Sequence, residues 1–167
     1  MFIFLFLRSQ KNTMIRKVLK IVAVVALIAL VIIQFIRPEK NVGDYSDIAA
    51  FEAETKPSKE VKAILKNNCY DCHSNSTVYP WYAEIAPFSF FLADHVEEGK
   101  EHLDLANWES YSLKKKDHKL DELIEEVEEG EMPLESYTLI HGNLSQEEKE
   151  LLETWAKSVR SELQSQM

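Results

Sequence analysis

Two cysteines and a histidine stand together in CYDCHSNSTVYPWY, residues 69–82: Cys69, Cys72 and, directly after, His73. They include the only two cysteines of the chain. Four chemistries use such a cluster. A disulfide between Cys69 and Cys72 would close a very short loop and remove little entropy from the unfolded chain. A thioredoxin-like dithiol expects its C-x-x-C beside a βαβ pattern, which the flanking sequence lacks. A structural zinc site uses four nitrogen or sulfur ligands, often as two spaced pairs, and no second pair follows at that spacing. A c-type haem needs what the stretch contains: two thiols three positions apart on one helical face, each able to form a thioether to a haem vinyl, and a histidine aimed at the iron. One covalent haem c is the expected cofactor, with Cys69 and Cys72 as its attachment points and His73 as the proximal iron ligand.

The candidates for the distal ligand are Met132, His95, His102, His118 and His141. Met132 lies 59 residues beyond His73, between Gly130 and Pro133. A glycine that ends a helix and a proline that stiffens the next bond would hold the thioether in a defined loop, and Met132 is the expected distal ligand. His95, in an aromatic-rich helical stretch close to the haem motif, is the alternative. His102, His118 and His141 have Lys, Glu or Gly neighbours and read as surface residues. Tyr79, Trp81, Tyr82 and Phe91 are the candidate walls of the haem pocket, although each alone is as well explained as ordinary core. Trp155 is expected to pack the last helix against the one that carries Cys69. Trp108 is a weak candidate for a propionate hydrogen bond. The run Lys114–Lys116 could neutralise propionates, but a solvated loop is the better reading.

These residues must be positioned by helices. Val61, Ile64 and Leu65 recur at steps of three and four, so a helix runs from Ser58 towards Cys69. A second is expected over 87–103 and a third over 115–129, where Leu120, Leu123, Ile124 and Val127 share one face and acids the other. Gly130 stops the third. Ser145-Gln146-Glu147-Glu148 is a capping box for a last helix with an apolar stripe at Leu151, Leu152, Trp155, Val159 and Leu163. Nothing alternates as strand. The expected fold class is all-α.

In front of this domain, residues 21–36 read IVAVVALIALVIIQFI, sixteen positions with one polar interruption, Gln34. With Val18, Leu19 and Lys20 the run approaches the ~20 residues that cross a hydrocarbon core, and Lys20 can snorkel. No small-residue cleavage site follows it, so a retained anchor is expected. Residues 1–40 carry a net charge of +6 and residues 41–167 one of −15. The basic excess before the span puts the N-terminus in the cytoplasm and the acidic part on the outer face of the cytoplasmic membrane. The expected organisation is a cytoplasmic N-terminus at 1–17, a transmembrane anchor at 18–36, a linker at 37–57 and a haem domain at 58–167. Met14 opens MIRKVLK, a second plausible start. So acidic a domain repels phosphate backbones, which argues against nucleic acid and favours redox partners with basic docking faces.

The segment CYDCHSNSTVYPWYAEIAPFSFFLADHVEEGKEHLDLANW, followed by GEMPLESYTLIHGNLSQEEKELLETWA, resembles the bacterial haem-binding domain family related to c-type cytochromes. The resemblance covers about residues 41 to 160 and rests on CxxCHS, YPWY, the IAP turn, the GEMPL loop and the LSxxExxxLxxW helix in that order. It implies a monohaem, cytochrome c-like helical fold and assigns the distal ligand to the GEMP motif. The expected function is one-electron transfer by a membrane-anchored protein. The alternatives are a haem-based sensor or ligand-binding module and an accessory haem subunit of a respiratory complex. No acid–base pair, nucleophile–histidine pair or phosphate loop marks an independent enzyme.

Overall fold

Serines start three of the helices. In the computed structural model, which describes residues 2–167 with side chains from Met14 onward, Ser58 Oγ accepts from Val61 N at 3.2 Å and Ser112 Oγ from Lys115 N at 3.3 Å. Ser145 forms the full capping box: its hydroxyl accepts from Glu148 N at 3.2 Å, and the Glu148 carboxylate accepts from Ser145 N at 2.8 Å. Each cap satisfies backbone donors that the first helical turn would leave unpaired. The helices are α1 Phe2–Ile33, α2 Ala49–Thr55, α3 Lys59–Asn68, α4 Tyr70–His73, α5 Phe88–His102, α6 Leu113–Glu129, α7 Glu135–His141 and α8 Gln146–Gln164. Short 3-10 turns lie at Ser46–Ile48, Trp81–Glu84 and Leu105–Ser110. There is no strand among the described residues beyond one isolated antiparallel bridge, Val42 to Ser76, so the all-α expectation holds.

The chain divides into two compact units, Met1–Glu39 with Pro80–Leu92, and Lys40–Tyr79 with Ala93–Met167. The second unit holds the core. Leu120 and Val127 of α6 meet Leu152, Val159 and Leu163 of α8 in one cluster with Val61 and Leu65 of α3. Phe51 and Trp108 are both fully buried, ring edge against face at 5.1 Å. Trp108 Nε1 donates to Glu54 at 3.0 Å, and Lys116 Nζ donates to the same carboxylate oxygen at 2.6 Å. Both side chains are therefore committed inside the protein, and neither is held out towards a propionate. Lys115 lies over the Tyr111 ring, 3.9 Å from its centroid. Trp155 packs on Phe51 of α2 and donates to Thr55 O at 3.0 Å. Helix α8 also packs against α3, the helix leading to Cys69, as expected.

The expected linker at 37–57 is corrected by the same core. Ile48, Phe51 and Thr55 are buried, at steps of three and four. Upstream, Asn41 bonds the segment that follows the haem motif: Asn41 N donates to Tyr79 Oη at 2.8 Å, its side-chain amide donates to Ser74 O at 2.7 Å, and Thr77 N donates to Asn41 O at 3.0 Å. The domain begins near Lys40 instead of Ser58.

In the first unit, Met1 and the side chains up to Thr13 lie outside the described residues, and with them most of the expected cytoplasmic segment 1–17. Helix α1 ends at Ile33, three residues short of the expected end of the span, and Arg16, Lys17 and Lys20 occupy the turns before its apolar run. No helix among the described residues is long and apolar enough to cross a membrane. Beyond α1, Gln34 Nε2 donates to Ala86 O at 3.0 Å and Gln34 Oε1 accepts from Ala86 N at 3.0 Å. Arg37 bonds the Glu84 carbonyl and lies 3.6 Å from its carboxylate.

Candidate functional site

Cys69 ends α3 and begins α4. Its φ of −122° breaks the helix, so the two thiols sit on a single separate turn and not on one continuous helical face. That turn is closed by Cys72 N and His73 N, which both donate to Cys69 O, at 3.2 and 3.0 Å. Ser74 is fully buried, its hydroxyl donating to Tyr70 O at 2.7 Å and accepting from Ser76 N at 3.0 Å. Tyr137 of α7 donates to Asn67 O at 2.7 Å and pins the end of α3.

His73 Nδ1 lies 2.9 Å from Leu103 O. A carbonyl only accepts, so Nδ1 carries the proton and Nε2 keeps its lone pair. Burial holds the His73 pKa below the ordinary imidazole value, although the backbone bonds to Leu103 and Gly99 act the other way. A neutral imidazole oriented by a backbone carbonyl is the arrangement found behind metal-ligating histidines.

A cavity of about 360 Å³ opens beside it. Cys69, His73 and Met132 all line this one cavity, together with apolar Leu103, Leu123, Val127, Leu144 and Leu152. His102, Lys119, Glu122, Glu125 and Glu126 supply its polar part. Met132 is half-buried against the core edge. Its loop is set by Gly130 in the left-handed region, φ 80°, and by Glu126 O, which accepts from Glu131 N at 2.9 Å and Met132 N at 3.0 Å.

Both cysteines are free thiols. Part of the Cys69 surface faces the cavity, but protein surrounds the rest, and this burial, with Cys72 nearby, pushes its pKa up to about 12. Burial, with Asp71 beside it, raises Cys72 to about 11. Both are neutral thiols and neither is an activated thiolate, which disfavours thiol redox chemistry. Cys72 does not line the cavity; it lies under α5 at Gly99, where a Cβ would sit 3.0 Å from Cys72 Cβ and 3.1 Å from its carbonyl oxygen.

The other expected site residues lie elsewhere. Tyr79 and His95, of the same unit, do not line this cavity, and Trp81, Tyr82 and Phe91 belong to the other unit. Tyr79 is engaged with Asn41, and Trp81, 78 % exposed, is an outward-facing ring. His95 sits on α5 with Asp94 and Glu98, their ligating atoms within 4.8 Å of one another. His118 and His141 are exposed, as expected, whereas His102 is exposed yet contributes to the cavity wall. Sequence reasoning missed Leu103 as the orienting carbonyl, which no side-chain pattern encodes. It also missed Gly99, which a glycine in mid-helix could have flagged.

The residues present fit a haem. They offer an apolar cleft, an imidazole with its free nitrogen fixed by Leu103, a thioether opposite in sequence and free thiols on the adjoining turn. The family of haem-binding domains matches residues 28–158. No curated protein and no solved structure matches the chain.

Proposed function

The chain belongs to the haem-binding domain family, and from that premise we propose that it is a membrane-anchored, monohaem c-type protein that passes single electrons on the outer face of the cytoplasmic membrane. The observation that carries this reading is the meeting of Cys69 and His73 with Met132, distant from them in sequence, in one largely apolar cavity. When bound, the haem supplies a one-electron Fe(III)/Fe(II) couple. Cys69 and Cys72 would hold it covalently, each thiol as a thioether to one vinyl group. His73 offers Nε2 to the iron while Leu103 holds Nδ1–H. Met132 would offer the iron a soft sulfur, which would favour the reduced state and suit an electron carrier. Leu103, Leu123, Val127, Leu144 and Leu152 keep water from the ring, and Glu122, Glu125 and Glu126 give the opening an acidic character suited to a partner with a basic docking face.

The anchor is the run 18–36 rather than α1 alone. The apolar residues from Ile21 to Ile32 are exposed along the helix, and Phe35 and Ile36, also exposed, extend the run past its end. Lys20 reaches the headgroups by snorkelling, and the basic residues before the run keep that end in the cytoplasm.

Acid–acetone extraction of the purified protein, made in cells competent for haem attachment, tests the proposal. The colour stays with the polypeptide and intact mass exceeds the apoprotein by one haem. Extractable pigment, or a colourless product, contradicts it.

A further inference from the structure

Residues 80–92, PWYAEIAPFSFFL, contain one charged side chain in thirteen, Glu84. Trp81, Ile85, Phe88, Phe90 and Phe91 are all exposed, Trp81 by 78 % and Phe88 by 54 %. Large apolar side chains gathered this way on a surface mark a contact. The segment belongs to the same compact unit as α1 and is tied to the end of the apolar run. Gln34, the one polar residue of the stretch 21–36, exchanges two hydrogen bonds with the backbone of Ala86, and Arg37 bonds the carbonyl of Glu84 and pairs with its carboxylate at 3.6 Å.

That bonding has a physical sense in one environment above others. In water, Gln34 and the Ala86 peptide would find partners freely. Near hydrocarbon, an unsatisfied amide is costly because nothing there can hydrogen-bond it, and non-helical backbone persists only where its polar groups are satisfied. Gln34 and Ala86 satisfy each other, and Glu84 and Arg37 compensate each other's charge. What the segment then presents outward is Trp, Tyr, Phe and Ile, the composition of an interfacial aromatic belt.

We propose that Pro80–Leu92 is a second membrane contact, a foot whose rings at Trp81 and Phe88 enter the outer headgroup and upper acyl region next to the point where the anchor leaves the bilayer. This rests on the anchor reading above. The occupant is lipid. A second copy of the chain is the competing occupant, and the test separates them.

A photocrosslinking phenylalanine analogue is placed singly at Ile28, Trp81, Phe88 or Leu139 of the full-length haem-loaded protein in phosphatidylethanolamine–phosphatidylglycerol vesicles. Leu139, on α7 of the other unit, is 79 % exposed and serves as the aqueous control. After irradiation, intact mass reports lipid adducts. The foot predicts adducts at positions 81 and 88 comparable with those at 28 and several-fold above those at 139. Adducts at 28 with none above control at 81 and 88 overturn the foot and leave the anchor standing. No adduct at 28 sinks the anchor reading and the foot with it. Crosslinked dimers through 81 or 88 in place of lipid adducts assign the surface to a second copy and overturn the proposal.

Discussion

The turn carrying Cys69, Cys72 and His73 and the loop carrying Met132 face the same cavity, but they are held very differently. The turn is fixed from several sides. Cys69 O takes two backbone donors, Leu103 O orients the imidazole, buried Ser74 locks the exit and Tyr137 pins the entry. The Met132 loop depends on one helix stop at Gly130 and one shared acceptor, Glu126 O. The comparison teaches that the attachment side is over-determined, whereas the distal side is set by fewer and more local devices. Damage to the first should cost the cofactor; damage to the second should change its chemistry and leave it in place.

The largest effect is expected from Cys69→Ala with Cys72→Ala, which removes both attachment points. Every trace of acid-resistant colour should be lost, read by extraction and intact mass. Single substitutions should retain one thioether and a fraction of the colour.

Gly99→Val probes how tightly the turn is packed. Glycine in mid-helix is disfavoured by about 1 kcal/mol relative to alanine, so filling it would ordinarily help the helix. Here a Cβ meets Cys72 at 3.0 Å, and overpacking of this kind costs about 1–3 kcal/mol. The thermal midpoint of the haem-loaded protein should fall, with less covalent haem per polypeptide. A midpoint that rises instead would show that the turn yields, and the contrast between the two sides would weaken.

Met132→Ala should leave the haem covalently bound and lower the reduction potential, because the soft sulfur no longer stabilises the ferrous state. Its stability cost should fall below the ~2 kcal/mol lower bound for a fully buried methionine, since the side chain is half-buried. His95→Ala should leave the ferric spectrum unchanged. A His95→Ala spectrum that changes while Met132→Ala does not would reassign the ligand.

What the sequence made legible follows the same division. Capping residues and helix stops act locally, so Ser58, Ser145 and Gly130 were readable as boundaries, and the caps and the left-handed stop bear this out. The end of α1 at Ile33 was not, because nothing local stops an apolar run that continues to Ile36. Residues 37–57 read as a tether because they mix Pro, Gly, Asp and Ser with little periodicity. The step Ile48, Phe51, Thr55 was present but too short to outweigh that composition. In the site, side-chain chemistry identified Cys69, His73 and Met132, which do share a cavity. Of the aromatic residues after the motif, Tyr79 is engaged with Asn41 and does not line that cavity, a long-range pairing that closeness in sequence does not announce. Trp108 and Lys116 turned out to be held by Glu54, a long-range partner that no local spacing announces.

The smallest effect concerns neither side of the cavity and serves as its control. Arg160 donates to Asp117 at 2.8 Å, and this hydrogen bond holds the Asp117 carboxyl below its ordinary value of 3.8. A depressed carboxyl stabilises the fold above its unfolded pKa, and that contribution fades as pH falls through the lower folded value. Arg160→Gln should therefore reduce stability by no more than about 1 kcal/mol at neutral pH, with the difference from the parent shrinking as pH falls below the ordinary carboxyl value of 3.8. Chemical denaturation at stepped pH reads this, and the visible spectrum should not move.

Carbon monoxide added to the reduced protein tests the central claim most directly. With His73 and Met132 both on the iron, the parent spectrum should change little and slowly, while Met132→Ala should take up carbon monoxide quickly and completely. Rapid, full uptake by the parent would contradict a six-coordinate electron carrier and put a ligand-binding haem protein in its place.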